Sequence, residues 1–93
     1  MMSEWRHKSR WSPLLRELFV GTSDEAYYSE GDTEDLILIV DWEEDSRTWT
    51  ASVYTEEDLI QQQEGFNILV RAWQWAEAFA GGWRERGKKE KKA

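Results

Sequence analysis

Between residues 36 and 54 the chain carries a pattern that fits little besides a β-hairpin. Leu36-Ile37-Leu38-Ile39-Val40-Asp41-Trp42 is rich in β-branched residues and too short for a helix with its own core face. Thr48-Trp49-Thr50-Ala51-Ser52-Val53-Tyr54 alternates strictly, with Trp49, Ala51 and Val53 on one face and Thr48, Thr50 and Ser52 on the other. A four-residue connection, Glu44-Asp45-Ser46-Arg47, sets Trp42 opposite Trp49, Val40 opposite Ala51 and Leu38 opposite Val53. A loop one residue longer would slide that apolar row onto the threonines and the serine and waste its burial. The first of these strands is apolar on both faces, so it is expected at the centre, flanked by the hairpin partner and by a short strand at Ala26-Tyr27-Tyr28-Ser29.

Helix signals flank the hairpin. Ser12-Pro13 is an N-cap followed by a first-turn proline, and Leu14, Leu15, Leu18 and Phe19 share a face before Gly21, a left-handed stop. Thr55-Glu56-Glu57-Asp58 has the spacing of a capping box and predicts a helix start, divided at Gly65. From Phe66 to Ala80 the stripe Phe66, Leu69, Val70, Trp73, Ala76, Phe79 and Ala80 predicts the longest helix, ended by Gly81-Gly82. The expected class is α+β: an antiparallel sheet of two to three strands around the hairpin at 36–54, packed by a short N-terminal helix and a long C-terminal one. The expected divisions are a basic, aromatic segment over 1–11, one domain over 12–83 and a flexible basic tail over 84–93.

At 93 residues there is room for one core, and seven tryptophans give large buried area to a small one. Without cysteine there is no disulfide, thiolate nucleophile or thiolate-bound metal. No apolar run approaches a membrane span, and a cytoplasmic location is expected. The sole histidine, His7, sits among exposed charges, and the only glycine pair follows a helix instead of opening one. The carboxylate groups lack calcium-loop spacing. Neither an enzymatic activity nor a metal or cofactor is expected.

Charge is the functional signal. Residues 22–64 carry fourteen acids against Arg47 alone, a balance of −13, while 1–21 and 65–93 carry +2 and +4. An acidic field of this kind repels nucleic acid and attracts basic protein surfaces. The densest groups, Asp32, Glu34 and Asp35 and then Glu43, Glu44 and Asp45 at the hairpin tip, are the expected partner-binding residues. Trp75 is the expected aromatic anchor, since it lies about 200° around the helix from Trp73. Trp5-Arg6-His7-Lys8-Ser9-Arg10-Trp11 interleaves bases with rings as a nucleic-acid segment does, but the acidic middle disfavours direct nucleic-acid binding.

In size, acidity and lack of cysteine the chain resembles phage-encoded anti-defence proteins such as anti-CRISPR inhibitors. That resemblance implies an inhibitor or adaptor that occupies the basic, nucleic-acid-binding surface of an effector complex. The hairpin at 36–54 followed by a long helix also resembles HicB-type antitoxins, which implies an antitoxin or immunity role. It departs from them after the hairpin, where Thr55-Glu56-Glu57-Asp58-Leu59 stands in place of a third strand. A structural subunit that dimerises through the long helix or a sheet edge is the remaining expectation.

Overall fold

The computed structural model describes residues 5–29, 36–55 and 58–92, with 84–92 given as backbone. Five antiparallel strands follow one another in space as they do in sequence: β1 (Arg6–His7), β2 (Ala26–Ser29), β3 (Ile37–Glu43), β4 (Thr48–Tyr54) and β5 (Leu59–Phe66). A six-residue helix, α1 (Pro13–Leu18), lies in the β1–β2 connection, and α2 (Leu69–Lys92) ends the chain. Among the described residues, no helix is long and apolar enough to cross a membrane.

The hairpin register is the one the side chains demand: Trp42 opposite Trp49, Val40 opposite Ala51, Leu38 opposite Val53. β2 pairs with the outer edge of β3, so the doubly apolar strand is central. Its two faces feed two cores. Leu36, Leu38, Val40, Ala51 and Val53 pack under α2, and Ile39 and Ala26 pack under Trp11, Leu15 and Phe19 on the other side.

The sheet is wider than the expected two to three strands. β1 is two residues long, and no alternation marks it in the sequence. β5 replaces the helix expected to start at Thr55. Thr55 Oγ1 does accept from the Asp58 backbone N–H at 3.1 Å, and Thr55 N–H donates to the Asp58 carbonyl at 2.8 Å. The capping chemistry is present but closes a turn between strands. Gly65, read as a divider between helices, has φ +86° at the irregularity between the Trp49–Phe66 and Ala51–Gln63 pairs. A β-bulge favours glycine there.

α2 also departs from expectation. It passes through Gly81-Gly82 and continues to Lys92, across the segment read as a basic tail. Its contact stripe is smaller in side chain than the predicted one: Ala72, Ala76 and Ala80 are buried at helical spacing, whereas Val70 is exposed. Methyl groups let the helix settle close to the sheet, and the larger Leu69, Trp73, Trp75 and Phe79 wrap its flanks.

α1 begins as predicted, with Ser12 Oγ accepting from Leu15 N–H at 3.2 Å and Pro13 at the first position. It ends at Leu18, before Gly21, and it covers the sheet less than expected. Leu15 and Phe19 reach the second core, while Leu14 and Leu18 are 66% and 64% exposed.

Candidate functional site

An antiparallel meander sends successive connections to opposite ends of its sheet, and this decides where the carboxylates gather. The β3–β4 turn and the β1–β2 connection leave from the same end. Asp41 ties them together: its Oδ1 accepts from Ser23 N–H at 2.8 Å and from Ser23 Oγ at 2.7 Å. Trp42 N–H donates to the Glu25 carbonyl at 3.2 Å, which lays 23–25 beside the end of β3. Six carboxylates therefore meet at one rim: Asp24, Glu25, Asp41, Glu43, Glu44 and Asp45. All but the half-buried Asp41 are exposed.

An aromatic base holds this rim. Trp42 packs edge-to-face on Trp49 at 5.1 Å, and Trp49 leans on Tyr27 at 6.2 Å. Trp42 Nε1 donates to Glu44 Oε2 at 2.7 Å, so one tip carboxylate has a fixed position. Two basic side chains beside the rim are engaged, and a third, Arg47, stands exposed on the tip itself. Lys8 Nζ donates to the carbonyls of Thr22 and Ser23 at 2.8 and 3.2 Å, and His7 Nε2 lies 3.3 Å from Glu25 Oε2. The tip itself spans Glu44 to Arg47, with Arg47 at φ 56°. Left-handed backbone costs a β-carbon-bearing residue about 1–2 kcal/mol, offset partly by the greater unfolded-state freedom of glycine. Arg47→Gly is accordingly expected to raise stability by about 0.5–1 kcal/mol in urea unfolding. An unchanged or lowered midpoint counts against a strained tip.

Of the residues expected to bind a partner, Glu43, Glu44 and Asp45 are brought together here. Asp32, Glu34 and Asp35 lie outside the described residues. The residues that flank them, Ser29 and Leu36, sit at the opposite end of the sheet from Glu44, as does Asp58. Among the described acids of the middle segment, Asp58 is thus separated from the six at the rim. Trp75 is half-buried in a row with Phe66 at 6.2 Å and Phe79 at 5.8 Å, and reaches the rim's aromatic base only through Phe66, the strand partner of Trp49. Asp24, Glu25 and Asp41 were missed in the sequence, where nothing links Ser23 to Asp41.

The basic, ring-bearing segment is built into the fold. Trp5 stacks on Trp73 at 5.6 Å and donates through Nε1 to Glu77 at 2.7 Å. Trp11, 6% exposed, donates to the Arg6 carbonyl at 3.0 Å on the other face of the sheet. Two clefts flank β1. One of about 540 Å³ is lined by Trp5, Arg6, His7, Arg10 and Tyr27, and one of about 290 Å³ has Trp11, Leu14 and Leu18 in its wall. Among the described residues no group of three or more His, Asp or Glu is placed to hold a metal ion. No family model, no curated protein and no solved structure matches the chain.

Proposed function

We propose that this domain is a non-catalytic binding protein whose acidic rim docks on a basic surface of another protein, in the manner of an inhibitor that occupies a nucleic-acid channel. The observation that supports this is the gathering of Asp24, Glu25, Asp41, Glu43, Glu44 and Asp45 at one end of the sheet. The rim spans two strand spacings, about 10 Å. Duplex DNA carries one charge per about 1.7 Å of axis, or about six over the same length. The rim therefore offers a cationic groove a charge density of the kind it meets on its own ligand. Its carboxylates are carried on strand ends and a short turn, so less ordering entropy opposes docking than on a loose loop. A phage-type anti-defence role is one setting for such an inhibitor.

The test is capture of nucleic-acid-binding proteins from nuclease-treated cell extract on the immobilised domain. Alongside it runs the triple variant Glu43→Lys, Glu44→Lys, Asp45→Lys, checked by circular dichroism for an intact fold. Like charges placed across an interface cost several kcal/mol, so the variant should bind about a hundredfold more weakly. Raising salt from about 0.15 to about 1 M shortens the screening length from about 8 to about 3 Å and should elute the captured protein. Capture that is equal in the variant, or that withstands the salt, removes this reading.

An antitoxin or immunity role is the second reading. β5 is a third strand between the hairpin and the long helix, where the sequence reading expected a helix start. A small basic toxin would then be the protein held at the rim, recovered as a stoichiometric complex when the two are co-expressed.

A further inference from the structure

β5 is the long open edge of the sheet. Its eight residues pair with β4 on one side and, among the described residues, with no strand on the other. The opposite edge, β1, is two residues long and closed to further pairing by its length. Natural edge strands are usually defended by proline, lysine or inward-facing charge. β5 has none of these: it reads Leu59-Ile60-Gln61-Gln62-Gln63-Glu64-Gly65-Phe66, with Gln61 to Glu64 exposed. Apart from the exposed charge of Glu64, its defence is a register shift at each end, and between the shifts Gln61, Gln62 and Gln63 pair regularly with Val53, Ser52 and Ala51.

We propose that β5 pairs with β5 of a second copy, antiparallel about a two-fold axis through Gln62, to give a continuous ten-stranded sheet. Three observations select a second copy and this register. Centring the axis on a residue keeps both α2 helices on the same face of the joined sheet, whereas centring it between residues places them on opposite faces. Centring it on Gln62 uses the regular stretch, sets Gln61 opposite Gln63 twice and Gln62 opposite itself, and places Glu64 opposite Ile60. A shift to Gln61 would bring Glu64 against Asp58. Glutamine amides both donate and accept, so a run of them complements itself without opposed like charges.

The third observation is the aromatic row on α2. Trp73 faces the β1–β2 side, toward Trp5 and Tyr27, while Phe66, Trp75, Phe79 and Trp83 form a chain of ring contacts at 6.2, 5.8 and 6.4 Å on the β5 side. α2 lies over β3 and β4. In the joined sheet the two helices, each seated between β3 and β4, would run antiparallel about 19 Å apart, four strand spacings. Helices in direct contact lie 8–10 Å apart, so about 10 Å remains, room for one row of rings from each copy. Trp83, 37% exposed, lies along the flank of this seam. Because the two-fold consumes the only long edge among the described residues, assembly stops at two.

The inference is independent of the acidic rim. Its test is sedimentation velocity across a concentration series of the full chain and two double variants, each confirmed folded by circular dichroism. Gln61→Lys with Gln63→Lys opposes lysine to lysine twice, whereas Gln61→Lys with Gln63→Glu opposes lysine to glutamate twice. A dimer is expected for the native chain and for the lysine–glutamate variant, with the dissociation constant of the lysine–lysine variant raised about tenfold or more. A native chain that is monomeric throughout, including one that pairs β5 only with a strand from another protein, overturns the proposal. So does a dimer that both variants preserve or that both dissolve, since either result puts the contact elsewhere or in another register.

Discussion

Replacing Leu38 with alanine is expected to lower the unfolding free energy by about 3 kcal/mol, within the 2–5 kcal/mol range for buried leucines. Leu38 is fully buried on the central strand, between Ser29 and Val53 and beneath the alanine stripe of α2. The site has little means of collapsing. Its neighbours across the sheet are held by backbone pairing on both sides, and the overlying Ala72, Ala76 and Ala80 are too short to fill the void. The chain has no disulfide, and the second core, on the other face of the sheet, does not contact Leu38 to share the loss. For a domain of this size each kcal/mol moves the melting point by about 4–8 °C, so a fall of more than about 12 °C is expected. Urea unfolding should show a lowered midpoint with an unchanged slope. A loss below about 1 kcal/mol would mean that α2 is loosely seated and that the buried stripe is not the principal core.

That stripe also marks where sequence reasoning reached the fold and where it stopped. Period-two alternation with a bulky pair at the end, Trp42 and Trp49, fixes a hairpin register because every alternative exposes large rings. Tyr27 and Tyr28 locate β2 for the same reason: β2 lies beside a strand that needs cover on both faces. β5 was hidden because its middle is glutamine, with little strand preference, and because Thr55 and Asp58 make in a turn the hydrogen bonds that would start a helix. β1 carries no pattern, since its two residues gain their pairing from Trp5 and Trp11 anchoring the chain on opposite faces. Gly81-Gly82 read as a helix stop because glycine is a frequent one, yet neither residue adopts positive φ and α2 simply runs through them. At the rim, Glu43, Glu44 and Asp45 were legible as a hairpin tip. Their company was not, since Asp24 and Glu25 arrive through one backbone bond from Trp42 and a side-chain contact between residues eighteen apart in sequence, Ser23 and Asp41.

That contact yields the second large effect. Asp41→Ala is expected to cost about 2–3 kcal/mol, because two hydrogen bonds to a charged acceptor are lost and the Ser23 backbone N–H is stranded in a half-buried place. Asp41→Asn keeps an oxygen in the same position and should retain about half of that stability, as neutral hydrogen bonds are roughly half as strong. The pair of variants separates two roles of Asp41 at the rim. If its role is to hold 23–25 against β3, binding to a basic partner should fall with alanine and largely survive with asparagine, although both remove the same charge. If Asp41 acts as one more carboxylate, the two variants should weaken binding alike, by the few tenths of a kcal/mol to about 1 kcal/mol usual for a single peripheral charge. The geometry favours the first outcome: Asp41 is half-buried and already committed to Ser23, while the five carboxylates around it are exposed. Hydrogen exchange at Ser23 and Glu25 supplies the structural readout, with protection lost in the alanine variant and kept in the asparagine one. Equal protection in both would detach the rim's assembly from Asp41.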